Sequence, residues 1–528
     1  MDEMRRGVLL FSAVALVIFL AGSLQLARLE NGGPAHADLM LAGGIPATVF
    51  LPIEGGREAA RRHFLEPPPR AARPPAVVAM HGFAGDRASL SGLCRGLARS
   101  GYAVLAFDAM GHGGNRNPFN RGAATADDFA EEFAAAVDFL RTWPFVDGEH
   151  IAVLGHSMGA SAALDYASRD AGIDAAVLIS GGARVEGPYR PANALFLYAS
   201  GDPRRIRERS AATAARLAGV EELAEGTTHG DPALRNAVRL VSVRGADHQG
   251  VVWMEKTLAE TLGWLDASFA VEVTRGAVPG DPRVGVALLL ALAFAGLLPG
   301  LGFVVAALVP RTAPLPSENR GLALVGVALA CAAISPLLAV STPAPILSAE
   351  VVDRLVPHFA LAGLALLTLV WLRRPGILRD SFERPGAVFL GAALGVMALY
   401  VCLVPLGVVL HRVTLTPERM LVYALCFVGF LPFHFAFNLL LRRGPVASAT
   451  LYALLGRLLV LGVLMAAVPL AGLDRVILLM LPALTLVSIL FEAFASALYA
   501  GSRNILAIAL VEAGWLALVV AAIMPVRL

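Results

Sequence analysis

The sequence contains little charge and almost no lysine. Only 16% of its 528 residues are charged, 57% are hydrophobic, and the mean hydropathy is +0.67. Such values exclude an intrinsically disordered chain and a wholly soluble globular protein. Lys256 is the only lysine among 43 basic residues, and the basic residues do not cluster as nucleic-acid binding would require.

Cysteine is also scarce. Three of the four cysteines lie in apolar stretches, and Cys94 is alone in the more polar first half of the chain. A disulfide within that half is therefore excluded, and the cysteine spacings match no metal motif. We expect no metal ion, no organic cofactor and no nucleic-acid partner.

The charge that is present lies mostly before residue 284. From Val284 to Leu528 the sequence has 15 arginines and 9 acidic residues, which leaves 28 basic and 32 acidic residues for the first part. A chain of this length exceeds one ordinary hydrophobic core. The contrast predicts a soluble domain at 36–275 and an all-α membrane domain at 284–528.

An apolar run follows the first six residues. Gly7–Ala27 is about long enough to cross a bilayer, so residues 1–30 are predicted to form a signal anchor or transmembrane helix. A cleaved signal peptide is the alternative, because Ala21, Gly22 and Ser23 resemble a cleavage site. In both cases Arg5 and Arg6 remain in the cytoplasm and the following chain is exported.

Residues 36–275 alternate between short β-branched runs and helical patterns, which predicts an open, mostly parallel α/β sheet. The predicted strands are Ile45–Pro52, Ala76–Met80, Tyr102–Asp108, Ile151–Gly155, Ala175–Ser180, Ala194–Ala199 and Val238–Val243. The predicted helices are Asp86–Ser100, Ala126–Arg141, Met158–Arg169, Arg204–Ala218 and Val252–Ser268. The Arg- and Pro-rich stretch Gly55–Pro75 predicts a surface loop.

After Val284 the pattern changes to long apolar runs, which predict eight transmembrane helices, or nine with the N-terminal one. The predicted spans are Val284–Val309, Gly321–Ser341, Leu355–Leu372, Pro385–Leu410, Arg419–Leu441, Ala449–Ala471, Val476–Ala500 and Asn504–Met524.

Arginine is unevenly distributed between the loops that join these spans. Loops 310–320, 373–384, 442–448 and 501–503 hold nine arginines, and the loops on the other side hold four. The positive-inside rule places the arginine-rich loops in the cytoplasm, in agreement with Arg5 and Arg6. We therefore expect an integral, multi-pass protein of a bacterial inner membrane, with its soluble domain on the periplasmic or extracellular side.

The sharpest motif is Gly155-His156-Ser157-Met158-Gly159, which follows a predicted strand and opens a predicted helix. A nucleophile elbow needs this context, because a tight strand–turn–helix lifts the serine hydroxyl above the sheet edge. Glycines are frequent in this sequence, so the motif alone could arise by chance. Its placement between a strand and a helix favours a nucleophilic Ser157.

A serine nucleophile needs a base and a group that orients the base. Asp202 follows the predicted strand that ends at Ala199, and His248 follows the predicted strand that ends at Val243. Each position alone would fit ordinary loop chemistry. Their order after the elbow and their places at strand ends predict a Ser157–Asp202–His248 triad.

The segment His81-Gly82-Phe83 follows another predicted strand and supplies the remaining part of such a site. An oxyanion hole uses the backbone N–H after the nucleophile and a second N–H from an early loop. We therefore predict Met158 and Phe83 as the two donors.

With these segments, residues 36–275 resemble the α/β-hydrolase superfamily of serine esterases, lipases and aminopeptidases. The segments are His81–Gly85, Asp108–Gly113, the Ser157 elbow, Ser200–Asp202 and Ala246–His248. The resemblance implies that Asp108 and His112 shape the pocket wall without transferring protons. It does not extend to the membrane domain, for which we recognise no family.

The chain departs from many members of that superfamily in having no room for a full helical cap. The predicted strands on either side of the cap position are separated only by Gly181–Asn193. This is similar to compact dienelactone-hydrolase-like esterases, which commonly use cysteine where this chain has Ser157. It weakens the aminopeptidase interpretation, because the amine-binding carboxylates of that family usually lie in the cap. His229 competes with His248 as the base but does not follow a predicted strand.

Several polar residues interrupt the predicted spans. They are His358, His434, Asn438, Arg457, Glu492 and Glu512. Ionisable groups inside a membrane suggest functional sites, but hydrogen bonding between helices is the interpretation we favour. Arg419 and Arg457 lie near span ends, where we expect them to extend toward the membrane surface.

These observations predict a membrane-bound serine hydrolase that cleaves an ester, thioester or amide through an acyl-enzyme. An acyltransferase is the second hypothesis, because an alcohol or amine can replace water with the same triad. A transporter or membrane scaffold with a non-catalytic hydrolase-like domain is the third. The expected partners are the lipid bilayer and a small-molecule or lipid-like acyl compound.

Overall fold

The chain divides into two units in a computed structural model that describes residues 2–119, 124–182, 190–270, 280–316, 320–341, 352–382, 384–471 and 476–527. The sheet unit contains Ser23–Leu288, Pro405–Thr414 and Arg527–Leu528. The helical unit contains Met1–Gly22, Leu289–Val404 and Leu415–Val526. Parts of three predicted membrane loops, at 317–319, 342–351 and 472–475, lie outside the described residues.

In its described part, the sheet unit contains one nine-stranded sheet with the order β1-β2-β4-β3-β5-β6-β7-β9-β8. The strands are β1 (Pro34–Leu41), β2 (Ile45–Glu54), β3 (Pro75–Met80), β4 (Ala103–Phe107), β5 (Asp147–His156), β6 (Ile173–Ile179), β7 (Asn193–Ala199), β8 (Thr228–His229) and β9 (Val238–Val243). Six neighbouring strands pair in parallel, in the order β4, β3, β5, β6, β7 and β9. The other three strands, β1, β2 and β8, pair antiparallel. The carboxyl ends of the parallel strands therefore meet at one sheet edge, where ligands bind in folds of this kind.

Helices cover both faces of the sheet, because successive residues of each buried strand point to opposite sides. Ala76, Val78 and Met80 of β3 belong to one buried cluster, and Val77 and Ala79 belong to the other. The helices are the C-terminal part of α1 (Asp2–Gly32), α2 (Gly56–His63), α3 (Ser91–Arg99), α4 (Ala124–Thr142), α5 (Met158–Ala167), α6 (Arg204–Ala218) and α7 (Glu255–Phe269). The predicted α/β architecture is confirmed.

Two segments near the start of the sheet unit differ from the sequence-based expectation. The prediction of a loop over Gly55–Pro75 was wrong in its first part, because Gly56–His63 forms α2 and buries Ala60 completely. β1 was missed because Pro34–Leu41 contains no β-branched residue, which removes the main compositional signal for a strand.

A buried charge cluster joins α1, α3 and the start of α8 (Pro282–Leu308) within the sheet unit. Arg283 is 1% exposed and donates to Oε2 of Glu30 at 2.6 Å and to Asp281 at 2.8 Å. Arg95 is fully buried, lies 3.4 Å from the same Glu30 carboxylate and donates to the carbonyl of Leu29. The Glu30 carboxylate is therefore shared by two arginines that are cut off from water, and Arg283 has Asp281 as a second counter-ion.

The described helical unit contains long apolar helices. They are the N-terminal part of α1, most of α8, α9 (Arg320–Ser341), α10 (Val352–Arg373), α11 (Pro375–Asp380), α12 (Pro385–Gly407), α13 (Pro417–Leu441), α14 (Val446–Ala471), α15 (Val476–Ser502) and α16 (Ile505–Ile523). Among described residues, eight helices are long and apolar enough to cross a membrane, including Arg5–Gly32 in α1. This is consistent with a multi-pass membrane protein. The described apolar part of α9, Arg320–Ile334, is shorter than these eight.

Arg457 pairs with carboxylates inside the helical unit and does not extend outward as expected, and Arg419 is buried beside helix ends. Arg419 is 1% exposed and donates to the carbonyl oxygens of Ala521 and Met524, at the C-terminal end of α16. Carbonyl oxygens at the end of a helix accept no hydrogen bond from within it, so a guanidinium is a suitable cap for them. Arg457 is paired with Glu492 and Glu512 inside the helical unit.

Replacing Glu30 by Ala is expected to destabilise the sheet unit, because Arg95 and Arg283 lose their shared counter-ion. The loss should be about 3 kcal/mol, near the lower end for a broken buried pair because Glu30 is 21% exposed. This corresponds to a melting temperature lower by roughly 6–12 °C, measured on the full chain in detergent. The control is Glu58→Ala, whose partner Arg62 is exposed and which should cost under about 1 kcal/mol. Equal shifts for both variants would contradict the assignment.

Candidate active site

Ser157 occupies a strained turn between β5 and α5. Its φ of 53° and ψ of −108° are unfavourable for a residue with a side chain. Its N–H donates to the carbonyl of Ile179 at 2.8 Å, which fixes the turn against β6. Side chains at the flanking glycines would clash, since a Cβ on Gly155 would lie 2.0 Å from the carbonyl oxygen of Gly159. This is the geometry predicted from the GxSxG motif.

The structure brings Ser157, His248 and Asp202 into one hydrogen-bonded chain. The Nδ1–H of His248 lies 2.5 Å from Oδ1 of Asp202, and Nε2 of His248 lies 3.1 Å from Oγ of Ser157. Asp202 follows β7 and His248 follows β9, so both reach the edge at which β5 ends. With Nδ1 protonated, Nε2 is free to accept the serine proton.

Asp202 is held in its charged form by several donors. Its Oδ2 accepts hydrogen bonds from the Ser180 hydroxyl at 2.6 Å and from the Ala199 N–H at 2.8 Å. Burial alone would raise the pKa of Asp202, but the bonds from His248 and Ser180 outweigh burial and keep this pKa below its usual value. Sequence reasoning missed Ser180, although it follows the end of β6 as Asp202 follows that of β7.

His156 is a second residue that the sequence analysis did not assign. Its Nε2 lies 2.8 Å from the backbone carbonyl of His248, and since a carbonyl can only accept, Nε2 carries the hydrogen. The two imidazole centroids are 5.0 Å apart. Burial and the nearby His248 lower the pKa of His156 to about 3, so it is neutral at ordinary pH.

The predicted oxyanion segment lies beside the elbow. A Cβ on Gly82 would be 3.2 Å from Cβ of Ser157, so the backbone that leads into Phe83 passes directly against the serine. His81 is fully buried and stabilises this loop, because its Nδ1 bonds to the carbonyl of Gly82 and its Nε2 accepts from the Ala109 N–H. Met158 begins α5, so its N–H is one of the first-turn donors that have no acceptor within the helix.

Aromatic rings form the wall next to this loop. The ring of Phe83 lies 5.9 Å from that of His112 and 6.0 Å from that of Phe119. Asp108 is 1% exposed and is bound by the Arg87 side chain and by the N–H of Gly114. Through these contacts Asp108 stabilises the turn after β4. They indicate a structural role and not proton transfer.

The structure does not bring His229 to the serine. His229 lies in β8 opposite Val238, at the beginning of β9, whereas His248 follows the other end of that strand. The connection from β6 to β7 runs only from residue 180 to residue 192, as the sequence predicts, and residues 183–189 within it lie outside the described residues.

Part of the sheet unit is similar to a known hydrolase family. Residues 71–213 match the family model for serine aminopeptidase S33. Two uncharacterised proteins from Mycobacterium tuberculosis strains are 37% identical over 93 residues, which is 18% of this chain and 31% of each relative. The match thus spans about a third of the length of these curated relatives.

Solved esterase structures also align with the chain. An esterase from Pyrobaculum calidifontis is 20% identical with a TM-score of 0.32, and the alignment covers 50% of this chain and 94% of the esterase. A ferulic acid esterase from Streptomyces cinnamoneus is 22% identical with a TM-score of 0.26, covering 34% of this chain and 68% of the esterase. The family match at 71–213 and the strand order of the sheet give the N-terminal part of the chain an α/β-hydrolase-like fold.

Proposed function

We propose that the protein is a membrane-bound serine hydrolase that cleaves an ester, thioester or amide bond of a small or lipid-like acyl compound. The observation that carries the proposal is the hydrogen-bonded chain from Ser157 through His248 to Asp202. The family match at 71–213 and the strained elbow support it.

In this mechanism the Ser157 hydroxyl attacks the acyl carbonyl while Nε2 of His248 takes its proton. Asp202 orients the ring and stabilises the imidazolium, for which its lowered pKa is suitable. The N–H groups of Phe83 and Met158 stabilise the oxyanion. His248 then protonates the leaving group, and a water molecule activated by the same ring releases the acyl group from Ser157.

His156 serves this mechanism as a positioning residue. Its hydrogen bond holds the backbone of His248, on which the distance to Ser157 depends. A charged His156 would oppose the imidazolium that forms on His248. Because burial keeps His156 neutral, that repulsion is absent when His248 takes up the serine proton.

We also propose on which side of the membrane the hydrolase domain lies. Arginine-rich loops at 310–320, 373–384, 442–448 and 501–503 favour a cytoplasmic position for those loops. With Arg5 and Arg6 also inside, the hydrolase domain faces the periplasm or the cell exterior of a bacterial inner membrane.

Fluorophosphonate labelling of membranes tests the nucleophile. We expect the wild-type chain to be labelled and Ser157→Ala and His248→Ala to lose labelling, because the probe needs an activated serine. Ester hydrolysis by Ser157→Ala should fall by roughly 10⁴- to 10⁶-fold. Ser161→Ala, one turn further along α5, and His229→Ala are matched controls that should keep the label. A folded wild type without label would overturn the proposal.

The neutral state of His156 predicts an acid-sensitive stability. Its folded pKa of about 3 lies below the unfolded value of about 6.5, so the unfolded chain binds more protons below pH 6.5. Stability is therefore full above pH 6.5 and falls by about 1.4 kcal/mol per pH unit as the pH drops toward 3. His156→Gln keeps a donor for the His248 carbonyl and does not titrate.

Denaturant unfolding at pH 7 and pH 5 measures this contribution. The wild type should lose about 2 kcal/mol more between these pH values than His156→Gln loses. Other titrating groups are common to both chains and cancel in the comparison. Identical losses would show that His156 is already protonated in the folded chain or titrates normally.

Membrane orientation is measurable with single cysteines and a membrane-impermeant maleimide. Arg204 is well exposed in the hydrolase domain, and Ala447 is exposed in a predicted cytoplasmic loop. Arg204→Cys should react in intact spheroplasts, whereas Ala447→Cys should react only after permeabilisation. The reverse pattern would place the hydrolase domain in the cytoplasm.

A further inference from the structure

A network of charged side chains lies in the interior of the helical unit, between α13, α14, α15 and α16. Arg442 contacts Glu492 at 2.6 Å and Glu512 at 3.7 Å. Arg457 contacts Glu492 at 3.0 Å and also pairs with Glu512. Asn438 donates to Glu512 at 2.7 Å and accepts from Arg442 at 2.6 Å. Two arginines thus balance two glutamates, which accounts for the bonding between these helices without any ligand.

His434 is attached to this network by only one of its nitrogens. Its Nδ1 lies 2.9 Å from Oε2 of Glu512, so Nδ1–H donates to that carboxylate. The other nitrogen, Nε2, is buried and has no hydrogen-bond partner among the described residues, although the His434 side chain is only 9% exposed. Bonding between helices does not explain why a buried imidazole leaves one nitrogen unpaired, which is a costly arrangement.

A cavity of about 90 Å³ lies beside His434 and Arg457. Its other walls are almost entirely apolar and include Phe359, Phe433 and Leu464, with Ser488 as a further polar residue. A single water needs roughly 10–15 Å³ of such space. The cavity therefore has room for a small polar head group together with a few carbon atoms.

The charge of the lining selects one class of ligand. An imidazole, a guanidinium and a hydroxyl contribute to the wall, whereas Glu492 and Glu512, which pair with Arg457, are not among the described lining residues. Cationic and donor groups bind anionic oxygens strongly away from water. The apolar walls bind the methylene groups that follow the head group.

We propose that this cavity binds an anionic amphiphile, with a carboxylate or phosphate head group on His434 and Arg457 and an apolar chain against the phenylalanine and leucine side chains. A protonated His434 donates from Nε2 to the anion, and a neutral His434 accepts from the protonated acid. The pair holds one proton in either form. The site is built within the helical unit alone and is independent of the hydrolase activity proposed above.

The experiment uses the full chain in phosphatidylcholine nanodiscs and a photoreactive octanoate that carries a diazirine near its methyl end. Labelled peptides are located by mass spectrometry, and label is expected in α13 or α14. Octanoate and octyl phosphate compete in separate arms, which distinguishes a carboxylate from a phosphate head group. Octanol and octylammonium test whether the charge of the head group matters, and should compete about 10- to 100-fold more weakly.

Two variants test the residues, and the second has a matched control. His434→Asn keeps a donor near the Nδ1 position for Glu512 but removes Nε2, and should weaken competition by octanoate about tenfold or more. Val460→Phe fills the cavity and should abolish the label. Leu459→Phe adds the same bulk at a neighbouring position that is 40% exposed, and should leave the label unchanged. Melting temperatures confirm that each variant is folded.

Equal competition by octanol and octanoate would overturn the proposal, as would equal loss of label in Val460→Phe and Leu459→Phe. Unchanged competition in a folded His434→Asn would also overturn it, and would leave the network as hydrogen bonding between helices. The Ser157→Ala variant should be labelled by the photoreactive octanoate to the same extent as the wild type. The failure of this proposal and the failure of the serine-hydrolase proposal are therefore separate results.

Discussion

The close approach of α5 to the ends of β3 and β5 is the constraint on which the candidate active site depends. A Cβ on Gly159 would lie 2.3 Å from the carbonyl oxygen of Met80 and 2.6 Å from that of His81. Only a residue without a side chain permits this contact. Because the helix starts so close to the sheet, Ser157 is forced into its strained turn and lies against the loop after β3.

The same contact explains why the site collects residues from distant parts of the sequence. Parallel strands β3, β5, β6, β7 and β9 end at one edge, so each contributes the residues that follow its last position. The β3 end supplies the His81–Phe83 loop, the β6 end supplies Ser180, and the next two ends supply Asp202 and His248. The sheet order thus determines which residues can meet Ser157.

Sequence reasoning identified those site residues that can be recognised because they directly follow a strand. Ser157, Asp202 and His248 each follow an apolar β-branched run, and the structure brings all three together. His156 was missed because its role depends on a hydrogen bond to a backbone carbonyl 92 positions away. No spacing rule in the sequence encodes such a contact. α2 was missed because proline and arginine around it favour a loop locally, whereas burial of Ala60 decides the outcome.

The helical unit shows a related limit of prediction. Hydropathy located most of the long helices well, because one apolar run corresponds to one helix. It could not show that Arg457 points inward, since its partners Glu492 and Glu512 lie on other helices. An arginine near the end of an apolar run can avoid uncompensated burial either by extending to water or by pairing with a carboxylate. Only the packing of the helices decides between them.

The cluster of Glu30, Arg95 and Arg283 has a consequence for any attempt to isolate the hydrolase domain. A fragment limited to residues 36–275 would contain Arg95 but would lack both Glu30 and Arg283. Arg95 would then lose its carboxylate, and α3 would lose the groups that cover it, so that a surface buried in the full chain becomes exposed. The smallest soluble fragment with an intact interior therefore extends into the ends of two apolar helices. A fragment of this domain can lack the apolar helix ends or keep its buried charge cluster, but it cannot do both.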